Sequence, residues 1–324
     1  MSAAGPPQGA RPPGGERRAA PVGGEHTGPR GVGLYAPSGF ALDPAAVDRA
    51  VARLEGIGLR VTVDPTCRMR WQRFAAPDDE RLAAVSRMAA DPGVDVAIAL
   101  RGGYGWTRLL PRLDFAAIAA AGKRWLGYSD FTAFQLAALA RAGMTTFAGP
   151  VVSGDFGASQ PSAFTLDHCF GVLDGDTYAV ECALEGPDLV CAGTLWGGNL
   201  AMVAHLVGTP YFPDVDGGIL FLEDVGETPY RIERMLYQLH HAGILARQRA
   251  IVLGQFTEYA LSDNDGGYDL DGAVAQLRAV SPTPIFTGLP FGHVPAKLTL
   301  PVGGRCELAV RGGAAVLALS DYDR

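Results

Sequence analysis

No uninterrupted apolar run in this sequence approaches the ~18 residues that a membrane span needs, so no membrane partner is expected. Cysteine is scarce. The five present, Cys67, Cys169, Cys182, Cys191 and Cys306, are scattered, odd in number and never spaced C-x-x-C. That excludes a zinc ribbon and argues against a disulfide framework, and a reducing compartment, the cytoplasm, is expected. Positive charge is in deficit, with 27 Lys and Arg against 34 Asp and Glu, and a net charge of −7 carries no nucleic-acid footprint. The dinucleotide fingerprint is missing: after the first apolar stretch stands "APSGFALD", with no G-x-G-x-x-G, and no phosphate loop occurs anywhere. The acidic, glycine-containing "SDNDGGYDLD" lacks the order of a calcium loop and reads as a polar surface loop. His240 and His241 are adjacent, so their side chains diverge and make a poor ligand pair. Neither metal nor cofactor is expected.

What is present is an alternating chain. Its 324 residues suffice for about two domains. The first thirty differ in kind: they hold seven glycines and six prolines without apolar periodicity, and residues 1–30 are expected to be a disordered tail. From residue 31, short apolar stretches ("GVGLY", "RVTV", "VDVAIAL", "RWLGYS", "TTFAGP") alternate with amphipathic ones. The first helix is expected to be capped by Asp43, with Pro44 at its first position. Such alternation means a parallel sheet covered on both faces. The expected fold class is therefore α/β. An N-terminal domain should span 31–160, an irregular connector 161–190, and a second, mixed α/β unit richer in β 191–324. In the second unit "TPYRIERMLYQLHHAG" predicts a helix entered through Thr228 and Pro229.

Function in parallel sheets collects beyond the carboxyl ends of strands. Two features fall there. "RGGYG" is a glycine-rich turn whose free amides are candidate oxyanion donors. In "RWLGYSDFTAF", Ser129 stands where a strand hands over to a helix. Serine is a preferred helix cap, yet G-Y-S-D also half resembles a nucleophile elbow. Further on, Glu223 ends the apolar strand "GGILFLED", where a carboxylate is costly to bury unless hydrogen-bonded. His293, in "LPFGHVPAK", is a loop histidine held by stiff neighbours. The order Ser, Glu, His is that of the α/β-hydrolase triad, although triads recur in several orders.

"APSG", "ALRGGYG", "GYSDFTA", "GTLWGGNLAMVAHLVGTPY", "ILFLEDVGETPYRIERMLYQLHHAGIL" and "GHVPAKLTLPVG" together resemble the LD-carboxypeptidases, the muramoyltetrapeptide carboxypeptidases of peptidoglycan recycling. The resemblance runs over roughly residues 31 to 315. It implies a flavodoxin-like N-terminal domain, a separate C-terminal domain, a homodimer and no metal. It implies Ser129 as nucleophile, Glu223 as triad acid and His293 as base, with oxyanion donors at the backbone around Gly103 and Asp130. Gly102, Arg101 and Tyr104 complete the candidate oxyanion and substrate-binding set, Arg101 as a seat for the substrate's carboxylate. The implied reaction releases D-alanine from a murein tetrapeptide after its dibasic residue. The microcin C self-immunity peptidases share triad and fold and are the alternative. Their nucleotide leaving group calls for an aromatic platform. Trp196 and Tyr211 belong to shared segments, and residues 150 to 190 hold Phe156, Phe164, Phe170 and Tyr178 but no tryptophan, which favours a small leaving group. A non-catalytic muropeptide-binding module is the reading from another class.

Overall fold

The computed structural model describes residues 31–322; the expected tail, 1–30, lies outside them. Five short strands come first: β1 (Gly31–Tyr35), β2 (Arg60–Val63), β3 (Val96–Ala99), β4 (Arg124–Gly127) and β5 (Thr146–Ala148). They run parallel, with helices Ala45–Gly56, Asp78–Ala90, Phe115–Ala120 and Thr132–Ala142 between them. The central strands β1 and β3 are apolar and buried at every position because both faces are covered, whereas the edge strand β2 is partly exposed. The first helix begins one residue later than its cap signal predicts. Pro44 occupies the N-cap position, and the Asp43 carboxylate accepts from the Ala45 amide at 3.0 Å.

The second sheet uses β6 (Tyr178–Ala183), β7 (Leu189–Asn199), β8 (Ile219–Val225), β9 (Ala250–Thr257) and β10 (Ile285–Gly292). After β11 (Leu300–Val302) it is completed by β12 (Arg305–Arg311) and β13 (Ala314–Ser320). Its order is β10-β9-β8-β7-β12-β13-β6. The four strands β7 to β10 are parallel; β12, β13 and β6 are antiparallel. The fold class is the expected one, a parallel α/β unit joined to a mixed, β-richer one.

Two features differ from the sequence expectation. The connector is not irregular: it contains helix Ala163–Leu173 and supplies β6, which pairs with β13. Its pattern escapes notice because an edge strand with a single buried side chain has little apolar alternation. The division into units is also less clean than a boundary implies. β11 leaves the second unit and pairs antiparallel with β5, giving the first sheet the order β11-β5-β4-β3-β1-β2. Among the described residues no helix is long and apolar enough to cross a membrane, and all five cysteines are free thiols.

Candidate active site

Ser129 opens a single tight turn, Ser129–Phe131, between β4 and helix Thr132–Ala142. Its φ is +66°, a left-handed conformation that costs a residue with a Cβ about 1–2 kcal/mol. The floor beneath is rigid enough to hold it. Trp106 stacks on Phe134 at 4.5 Å, and Trp125 and Phe131 lie 5.6 Å and 5.2 Å from the same ring. All four rings are buried, each contributing about 1.5–3 kcal/mol by leaving water. The serine hydroxyl does not cap the helix. Tyr128 and Phe131 are the N-cap residues of the turn and the helix, and neither makes a side-chain cap bond. Instead Ser129 Oγ lies 3.0 Å from His293 Nε2.

His293 follows β10. Gly292 makes the bend at φ +141°, and a Cβ there would come within 2.8 Å of the Gln255 carbonyl oxygen. The other ring nitrogen, Nδ1, lies 2.7 Å from Glu223 Oε2. Glu223 is fully buried near the end of β8, at an irregularity in pairing. Leu222 pairs with Leu253 and Asp224 with Phe256, so β9 has an extra residue opposite Glu223. Bulges of this kind re-aim side chains. An ionised carboxylate only accepts hydrogen bonds. The Glu223 contact therefore puts the imidazole proton on Nδ1 and leaves Nε2 to accept from the serine hydroxyl.

Behind Glu223 stands Asn199, whose side-chain amide lies 3.4 Å from Glu223 Oε1 and donates to Asp224 Oδ1 at 2.8 Å. Its backbone N–H donates to the Thr132 hydroxyl at 3.0 Å, tying this acid network to the helix that Ser129 leads into. Burial pushes the Asp224 carboxyl up to about 6, and the neighbouring Glu223 charge pushes the same way; hydrogen bonds from Val225, Asn199 and Ala201 oppose it.

The glycine-rich loop after β3 lies against the serine. A Cβ on Gly102 would stand 2.7 Å from Ser129 Oγ and 3.2 Å from the Asp130 amide nitrogen, so only glycine lets the two loops approach. The Asp130 carboxylate points away into the core, accepting from the Ser38 hydroxyl at 2.6 Å and the Trp106 amide at 3.1 Å. Burial pushes its pKa up. What Asp130 offers the serine is its main chain. Gly102 and Gly103 line a cavity of about 290 Å³ together with Leu42, Asp43, Arg101, Tyr128, Ser129, Val151, Ser153, Gly154 and His293. Arg101 is half-buried in this wall and donates a long, 3.4 Å bond to the Phe40 carbonyl. Among the described residues no carboxylate pairs with it. Burial lowers its pKa, and nearby Arg73 lowers it further. Tyr104 stands outside the lining, its ring 6.0 Å from that of Phe74.

Asn199, Ser153, Asp155 and Lys297 were not singled out from sequence. For Asn199 a signal exists, since an asparagine directly before an apolar helical run is a cap; its side chain accepts from the Met202 amide. Lys297 is marked only by standing alone in the apolar run "VPAKLTL". Trp196 is fully buried and donates to Gln248 at 2.9 Å, so it is core rather than a stacking platform. Among the described residues no group of three or more His, Cys, Asp or Glu could hold a metal ion.

Comparison with known proteins follows the same outline. The LD-carboxypeptidase N-terminal domain matches residues 32–149 and the LD-carboxypeptidase C-terminal domain residues 192–308. A murein tetrapeptide carboxypeptidase of Pseudomonas aeruginosa is 32% identical over 286 residues, covering 84% of this chain and 91% of that protein. A probable murein peptide carboxypeptidase of Bacillus subtilis is 30% identical over 290 residues, covering 88% of this chain and 91% of that one. The crystal structure of a muramoyltetrapeptide carboxypeptidase from Oxalobacter formigenes superposes with a TM-score of 0.85 at 45% identity, over 90% of this chain and 99% of that one. The microcin C7 self immunity protein MccF superposes at 0.82 over 90% of this chain and 96% of its own, but at 21% identity this is a likeness of fold alone.

Proposed function

The chain belongs to the LD-carboxypeptidase family of serine peptidases, and from that premise we propose that it releases the terminal D-alanine of a murein tetrapeptide, with Ser129 as nucleophile, His293 as base and Glu223 as its orienting acid. The observation that carries the reading is the continuous chain of contacts Glu223 Oε2, His293 Nδ1, His293 Nε2, Ser129 Oγ, at 2.7 Å and 3.0 Å. Distances in this range are what proton transfer between positioned groups requires. Neutral His293 takes the proton of Ser129 as the oxygen attacks the carbonyl of the third residue. The negative oxygen of the tetrahedral intermediate is held by main-chain amides around Gly103 and Asp130. His293 then passes its proton to the leaving D-alanine nitrogen as the C–N bond breaks. Water, losing a proton to His293, attacks the acyl-serine and frees the tripeptide and the hydroxyl. A homodimer acting in the cytoplasm on recycled peptidoglycan is part of the same proposal.

The testing experiment compares kcat/KM for three substrates: the tetrapeptide ending in D-alanine, the same peptide ending in L-alanine, and an aminoacyl sulfamoyl adenylate. Efficient release of D-alanine is expected, with poor action on the other two. A clear preference for the adenylate would move the chain to the immunity-peptidase type, which the buried Trp196 already disfavours.

A carboxypeptidase must also recognise a free terminal carboxylate. Arg101 is the cavity's cation without a carboxylate partner among the described residues, and charge-assisted bonds of this kind contribute about 1.5–3 kcal/mol. Arg101→Met is therefore expected to lower kcat/KM for the tetrapeptide about 10- to 100-fold. The C-terminal amide of the same peptide, a poor substrate for the parent, should be nearly unaffected. An equal fall for acid and amide would remove Arg101 from the carboxylate seat.

A further inference from the structure

Behind the cavity lining, in contact with the Tyr128 ring, lies an ion pair that the reaction itself does not use. Lys297 is 2% exposed and Asp155 6% exposed. The Lys297 ammonium bonds to Asp155 Oδ1. The other oxygen, Oδ2, accepts from the Val151 amide at 2.8 Å, so Asp155 also folds its own turn, Val152–Phe156, whose Ser153 and Gly154 face the cavity. The two partners are 142 positions apart and belong to the two halves of the site. Asp155 follows β5 of the serine sheet, and Lys297 is four residues beyond His293.

A buried ion pair is a weak way to gain stability. Desolvating two charges costs about as much as their attraction returns, and well-packed apolar substitutes are often as stable or more so. What such a pair supplies is a fixed position. Here the position is set at both ends. The Lys297 amide donates to the Thr165 hydroxyl at 2.9 Å, and that hydroxyl donates to the Pro295 carbonyl at 2.8 Å. The loop from His293 to Lys297 is thus pinned on helix Ala163–Leu173. The ammonium also stands 4.8 Å above the ring of Tyr128, the residue before the serine, and the same ring lies 4.9 Å from that of His293. Tyr128 is held between base and cation.

We propose that the Lys297–Asp155 pair is a positioning device for the reaction: through Tyr128 and the 293–297 loop it sets the approach of His293 to Ser129. This rests on the roles given above to those two residues. Misplacing reacting groups by about 1 Å can cost on the order of 100-fold in rate, and Tyr128, the ring that the Lys297 ammonium covers, is one residue from the serine along the chain.

The test replaces both charges at once, with Lys297→Met and Asp155→Leu in one protein. The expected result is a melting temperature within a few degrees of the parent, a kcat for D-alanine release lowered 10- to 100-fold, and a KM changed less than about threefold. A second readout is labelling by a fluorophosphonate, in which the Ser129 oxygen bonds to phosphorus, fluoride leaves and the hydroxyl proton passes to His293. Its rate should fall in parallel with kcat. Parent-like kcat and labelling at a parent-like melting temperature would overturn the proposal. If the double variant does not fold, Asp155→Asn carries the test: a labelling rate at least tenfold lower in natively folded protein supports the positioning role, and an unchanged rate overturns it. Should the parent release no D-alanine at all, the substrate reading fails, while the labelling rate still reports on the pair.

Discussion

Ser129→Ala is expected to lower kcat for D-alanine release by about 10⁴- to 10⁶-fold, the range typical of removing a triad member, with the melting temperature displaced by only a few degrees. The small effect on stability follows from the geometry. Alanine keeps the Cβ, so the strained φ of +66° and the close approach of Gly102 are unchanged. The hydroxyl removed makes its bond to His293, whose side chain is still partly open to the cavity, and water can replace it there. KM should stay near that of the parent, because the cavity wall is otherwise intact. A coupled assay for free D-alanine and a calorimetric melt check both halves of the expectation. Near-normal turnover would make Ser129 a conformational residue only and would leave the enzyme without its nucleophile.

Glu223→Gln should be nearly as damaging to kcat, on the order of 10⁴-fold, while leaving the fold in place; a comparable amide substitution in a serine protease has that effect by enforcing the wrong imidazole tautomer. The side chain is fully buried between His293 Nδ1 and the Asn199 amide. Glutamine fits the same volume, and satisfies both neighbours by turning its carbonyl to Asn199 and its NH₂ to His293. That orientation makes Nδ1 an acceptor, moves the imidazole proton to Nε2 and points it at the serine hydroxyl, which then has no base. Glu223→Ala, by contrast, should also lower the melting temperature, because it opens a cavity and strands the Asn199 amide. Turnover and melts of the two variants separate the tautomer effect from loss of packing. If Glu223→Gln retains more than about a tenth of parental kcat, the orienting role fails, set against the ~10⁴ expected from.

The parts of this site that could be read from sequence are those written in local pattern. β3 and β4 show as apolar runs, and parallel pairing puts both carboxyl ends side by side, so "RGGYG" and Ser129 fall together. Glu223 shows because an acid at the end of an apolar strand needs a reason. The family resemblance supplied the rest of the set. The unread parts are contacts between residues far apart in the chain. Neither Lys297 nor Asp155 carries a mark of the other, since their meeting depends on how the two sheets pack. The strain at Ser129 was equally silent, because serine is an ordinary resident of helix entrances and its sequence context cannot tell a cap from a left-handed turn. β6 went unread because an edge strand has few buried positions to set a period, and β11 because three residues do not reveal which sheet they join.

That last strand changes how the molecule comes into being. While the chain is being synthesised, β5 is the open edge of the serine sheet, with main-chain groups unpaired, until Leu300–Val302 emerges to cover it. His293 is made only a few residues earlier. The nucleophile's scaffold and its base therefore reach completion almost together, and a nascent chain that stops before His293 holds a serine without a base. The same stitch closes off hinge opening: the two sheets cannot swing apart without tearing β11 from β5.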